Sequence, residues 1–126
     1  MIITTKTAAF SLHEKGFVYV EFLQNNEVFD VEEAHAHINA ASTVSGNKKL
    51  PVLIDVTKSY YVPSPEAKQI LAEFHLKTAE AIVVSTLAHQ LLSNFYIKIL
   101  KKCNANHPVK VFVNKNKAID WLISHL

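Results

Sequence analysis

Between positions 17 and 22, Phe17, Tyr19 and Glu21 alternate with Val18, Val20 and Phe22, giving one apolar face and one mixed face. A period of two is that of a half-buried strand, which predicts a strand over 17–23. The turn Glu14-Lys15-Gly16 separates it from an earlier strand over 7–13. The period then changes. Asp30, with Glu33 three residues later, reads as a capping box. Val31, Ala34, Ile38 and Ala41 follow as a stripe at helical spacing, and Gly46 supplies the stop. Residues 50–56 are almost continuously apolar, as expected of a strand covered on both faces, with Pro51 at its start.

Ser64-Pro65-Glu66 is a helix start: serine caps, proline suits the first helical position and glutamate complements the positive helix end. Ala67, Ile70, Leu71 and Phe74 form its expected buried stripe. Residues 81–84 predict another buried strand. Leu87, Leu91, Leu92, Phe95, Tyr96 and Ile99 mark a long amphipathic helix. A strand over 109–113 and a closing helix over 114–126, with Ala118, Trp121 and Leu122 inward, complete the order β-β-α-β-α-β-α-β-α. Strands alternating with helices imply right-handed crossovers, hence a mixed, mostly parallel five-stranded sheet packed with four helices.

At 126 residues the chain is the size of a single α/β domain, 1–126, without repeat or linker. Its net charge is +2 and all 13 basic residues are lysines. The absence of arginine removes the bidentate guanidinium contacts that read guanine and clamp phosphate, so no nucleic acid is expected as a partner. The lone cysteine, Cys103, excludes an internal disulfide, and it reads as inert rather than as a redox sensor. No signal-peptide pattern or spanning apolar run is present, which predicts a cytoplasmic protein.

The catalytic and metal-binding classes find little support. There are seven histidines, yet the closest pair, His35 and His37, lies roughly 200° apart around a helix, so the two point to opposite flanks as boundary or surface residues. No metal or cofactor is expected. Ser64, Ser85 and Thr86 are hydroxyls and His75 and His89 are bases, but no spacing selects a triad and no Gly-x-Ser-x-Gly elbow is present. The chain reads as a non-enzyme.

Two features carry binding readings. Asp55 ends a central strand, where α/β sheets hold ligands, and faces either that crevice with Ser85 and Asn114 or its own loop as a turn-capping carboxylate. Tyr60, Tyr61 and Val62 lie in a loop, and Phe95, Tyr96 and Ile97 broaden the apolar face of the next helix. If adjacent, these segments form a patch for a protein partner, a second copy or an apolar ligand; otherwise the loop folds down and completes the core. Lys98, Lys101 and Lys102 beside such a patch suit peripheral contact with an anionic membrane surface.

The element order, together with Leu53-Ile54-Asp55, Ser64-Pro65-Glu66-Ala67, Ala81-Ile82-Val83-Val84, the run 92–98, Val111-Phe112-Val113 and Ala118-Ile119-Asp120-Trp121-Leu122, resembles the SpoIIAA-like or STAS domain family. The likeness runs from about Phe17 onward and implies a non-enzymatic binding or regulatory module. Anti-sigma-factor antagonists of that family are switched by phosphorylation of a serine in an Asp-Ser-Ser-Gly motif. Here Pro63-Ser64-Pro65-Glu66 stands at the corresponding place, so Ser64 is the candidate hydroxyl, and its local context reads first as a helix cap. The fold also resembles part of the CRAL-TRIO lipid-transfer architecture, which implies a carrier of a small apolar ligand as the alternative.

Overall fold

The computed structural model describes residues 1–59, 61–85, 94, 98 and 107–126. Strands β1 (Ile2–Thr4), β2 (Ala8–Leu12) and β3 (Val18–Phe22) form an antiparallel meander. Helix α1 (Val31–Ser45) leads to β4 (Leu50–Asp55), α2 (Pro65–Ala72) to β5 (Lys77–Val83), and β6 (Val109–Phe112) to the closing helix α3 (Lys115–Ile123). The sheet runs β1-β2-β3-β4-β5-β6, and β3 through β6 are parallel. The sheet thus has six strands rather than five, because the short β1 adds to the outer edge of β2. The helix expected over 87–99 lies outside the described residues, apart from Asn94 and Lys98, both helical and exposed. Among the described residues no helix is long and apolar enough to cross a membrane.

The helix boundaries follow local chemistry. Asp30 accepts the Glu33 amide at 3.0 Å, Ser64 Oγ accepts that of Ala67 at 3.1 Å, and Asn114 accepts that of Lys117 at 3.0 Å. Gly46, at φ 64°, ends α1 in the left-handed conformation that glycine adopts without a Cβ penalty. The Asp30 capping box is only half made, since the Glu33 side chain turns inward instead of back to the cap. The buried face of α1 is also rotated from the expected stripe. Val31 is exposed, whereas Glu33, Ala34, His37, Ala40, Ala41 and Val44 are buried. The expected boundary position of His37 is therefore wrong; it is 6% exposed. Helix α2 stops at Ala72, so Phe74 packs from the following turn rather than from the helix.

The first half of β5 is polar, which is why only 81–84 stood out in the sequence. Leu50 pairs with Lys77 and Val52 with Glu80, so β5 carries one more residue than β4 across this step. The extra residue sits opposite Pro51, which has no amide hydrogen for the ladder. The bulge turns Lys77 and Glu80 to the same side, where their side chains pair at 2.9 Å. His107 Nε2 meets the same Glu80 oxygen at 3.2 Å, while Glu80 Oε2 is buried without a hydrogen bond. Burial alone would raise this carboxyl, but the Lys77 charge and the bonds from His107 and Lys77 outweigh it and lower its pKa.

The sheet has two differently covered faces. On one, α3 seats Ala118 and Leu122 on Phe17, Leu53, Ala79, Ala81 and Val83. On the other, Phe10, Val18, Val20 and Val52 lie under Ala40, Ala41 and Val44 of α1. Helix α2 packs chiefly against α1 rather than flat on the strands. That arrangement leaves space between α2 and the sheet.

Candidate functional site

The space beneath α2 is an apolar pocket of about 120 Å³. Sheet residues Phe10, Phe22, Ile54 and Ile82 form its floor, and Phe29, His37, Tyr61 and Leu71 contribute to its walls. Small side chains make the gap. Ala41 of α1 borders it, and Ala34 and Ala67 meet where the two helices pack with Phe29 and Tyr61. Ile54, expected to be fully buried, is only partly so because its side chain faces this pocket; Leu53, on the opposite face, is fully buried.

Three side chains of the lining can carry charge, His37, Lys68 and Lys77, and His37 stands among the aromatic walls. Its ring lies within 4.9 Å of Phe10, 5.7 Å of Phe22 and 4.6 Å of Phe29, in each case edge to face. Behind it, Nε2 is 2.6 Å from Thr7 Oγ1 and 3.2 Å from Glu33 Oε2. The same Glu33 oxygen accepts from Thr5 Oγ1 at 2.7 Å, the Thr7 amide at 2.9 Å and Thr7 Oγ1 at 2.5 Å. Burial alone would raise the Glu33 carboxyl, and the bonds from Thr7 and Thr5 more than offset that, so its pKa falls. For His37, burial and then Lys77 disfavour the charged ring more than Glu33 favours it, placing its pKa at about 4. The pocket therefore presents a neutral imidazole at pH 7.

The residues singled out in the sequence divide around this site. Tyr61 is not an exposed loop tyrosine: it is 8% exposed, lines the pocket and donates its hydroxyl to the Leu23 carbonyl. The Asn25 amide donates to that hydroxyl at 3.2 Å, tying the loop down. Val62, the next residue, is 59% exposed. Val28 and Val31 are exposed on the neighbouring loop and helix start, which the Ser64 amide joins through the Phe29 carbonyl at 3.0 Å. Tyr60, Phe95, Tyr96, Ile97, Lys101, Lys102 and Cys103 lie outside the described residues, as do Thr86 and His89.

Asp55 stands apart from the pocket, on the α3 face at the carboxyl edge of the sheet. It accepts from the Thr57 amide at 2.9 Å, Thr57 Oγ1 at 2.6 Å and Tyr19 Oη at 3.0 Å, with Lys115 Nζ 3.5 Å away. Burial would raise its pKa, but these partners lower it. Ser85 reaches the Thr57 carbonyl at 3.5 Å, and Asn114 caps α3. Each of these polar groups is engaged within the fold, and Asp55 accepts from the loop that follows it in the manner of a turn-capping carboxylate. Ser64 likewise occupies the cap position of α2. Among the described residues no three His, Cys, Asp or Glu side chains form a metal-binding group.

Sequence reading missed His37, Thr7, Glu33, Phe10, Phe22 and Phe29. The available signal was the spacing Ala34, His37, Ala41, Val44, which is as helical as the stripe chosen but contains a polar residue.

Fold and pocket define a small α/β domain with an internal apolar recess. The chain belongs to the family described as Domain of unknown function (DUF7793), which it matches over residues 10–126. No curated protein and no solved structure matches it.

Proposed function

We infer that the chain is a non-enzymatic binding module whose ligand is a small apolar molecule held between the sheet and helices α1 and α2. The observation that carries this reading is the aromatic-walled pocket of about 120 Å³. An apolar cavity of about 150 Å³ accommodates benzene, so a pocket of this size suits a compact ligand of similar bulk. The polar groups beside it support binding rather than turnover. Glu33 is consumed by Thr5 and Thr7, and Lys77 by Glu80. The likeness to SpoIIAA/STAS domains belongs to the same proposal, as does the absence of enzymatic activity.

A protein partner or second copy is the other reading, and exposed Val28, Val31 and Val62 favour it. Native mass spectrometry of freshly purified protein separates the two. The ligand reading expects a monomer carrying a small adduct that is lost in Ala41→Leu, which extends a side chain into the pocket. A ligand-free dimer, or an adduct indifferent to Ala41→Leu, would sink it.

A further inference from the structure

The hydrogen-bond arrangement around His37 determines which ring nitrogen is left to accept a hydrogen bond. Thr7 Oγ1 is hydrogen-bonded to the Glu33 carboxylate, which can only accept, so the hydroxyl donates. A hydroxyl has one hydrogen, so Thr7 must accept from His37 Nε2 at 2.6 Å. Nε2 therefore carries the ring hydrogen, and Nδ1 of the neutral ring is a lone-pair acceptor. Both hydrogen bonds that His37 makes among the described residues use Nε2. The ring itself lines the pocket, between Phe10, Phe22 and Phe29. A ligand there faces mostly apolar walls, this one ring acceptor and the side chains of Lys68 and Lys77, which also line the pocket.

We propose that the pocket selects a small neutral ligand with a single hydroxyl, of the phenol class, which donates its hydrogen to Nδ1 of His37. This deepens the apolar-ligand reading and rests on it. A pure hydrocarbon would leave Nδ1 buried without a donor, and a buried acceptor without its hydrogen bond is disfavoured. A carboxylate has no hydrogen to give and would sit near Glu33, while of the two lysines lining the pocket Lys77 is already held by Glu80 at 2.9 Å and Lys68 likewise has an interaction of its own. The Glu33–Thr7 pair acts as a positioning device, locking the tautomer that exposes the acceptor.

The test uses the full chain, isotopically labelled, titrated at pH 7.5 with benzene, phenol and benzoate and followed by NMR. The proposal expects saturable binding of benzene and phenol, with phenol tighter by about tenfold or more, a difference of about 1.4 kcal/mol. The His37 Nδ1 resonance should move upfield with phenol and stay in place with benzene. In His37→Phe, which keeps an apolar wall and removes the acceptor, the two affinities should converge. Because that variant changes a buried residue, the wild-type comparison decides the matter alone. Equal affinities of benzene and phenol in the wild type would overturn the hydroxyl proposal while leaving the apolar pocket standing. Benzoate binding tightest would overturn it in favour of an anion site. Failure of all three to bind would overturn both readings.

Discussion

Acidification from pH 7.5 to 5 should destabilise the fold through His37. In the unfolded chain its imidazole titrates near 6.5, whereas in the fold burial lowers it to about 4. Between those values the unfolded chain binds a proton that the folded chain refuses, so stability is full above the upper value and falls as pH descends towards the lower one. Applying the two values to the linkage relation gives a loss of about 2 kcal/mol at pH 5 relative to pH 7.5. The slope cannot exceed about 1.4 kcal/mol per pH unit for one proton. The charged groups that face the ring are Glu33 on its own helix and Lys77 on β5. Urea unfolding followed by circular dichroism at pH 7.5, 6.5 and 5 measures the loss. Other histidines contribute a background, so the comparison is with His37→Phe and His37→Gln at each pH. Both variants should show a shallower decline by about 2 kcal/mol over the window. A decline equal to that of the wild type would show that His37 is not held neutral by burial, and the ligand argument built on its acceptor nitrogen would fall with it.

Other substitutions probe separate parts of the account. Thr7→Val removes the hydroxyl between Glu33 and His37 and should lower unfolding stability by about 1–3 kcal/mol, because buried polar groups lose partners. Lys77→Met strands the buried Glu80 carboxylate and should cost about 3–5 kcal/mol, while Lys77→Met with Glu80→Leu should recover most of that loss in the same denaturant assay. Ser64→Ala should cost about 0.5–2 kcal/mol and Ser64→Asn much less, as expected of a helix cap; equal losses would count against the capping role. Leu53→Ala should cost about 2–5 kcal/mol and the exposed Lys117→Ala about 0.5 or less, since only the first opens a cavity.

What could be read from the chain beforehand is what short-range chemistry determines. Asp30 and Gly46 bracket α1, and Ser64-Pro65 opens α2, because a cap acts on amides within three residues of itself. The apolar runs in β3 and β4 show their strands directly. Polar Lys77, Thr78 and Glu80 concealed the start of β5, where a bulge opposite Pro51 and a buried ion pair override β propensity. β1 is a three-residue strand, shorter than any periodicity can reveal. The pocket was hidden for a different reason. Phe10, Phe22, Phe29, His37 and Leu71 are brought together from five separate segments, and an apolar residue looks the same in sequence whether it fills a core or borders a gap. The stripe Val31, Ala34, Ile38 and Ala41 puts His37 on a flank, whereas the buried face of α1 is rotated towards it, and the partners that make its burial tolerable, Thr7 and Glu33, are themselves 26 residues apart.

A crystal of the protein soaked in benzene tests the central claim most directly. The account predicts one benzene ring bounded by Phe22, Phe29, His37, Ile54 and Leu71, with the Thr7–Glu33 bond to His37 undisturbed. Ordered water filling that space, or side chains closed over it with benzene bound elsewhere, would contradict the claim that this domain is built around an apolar ligand pocket.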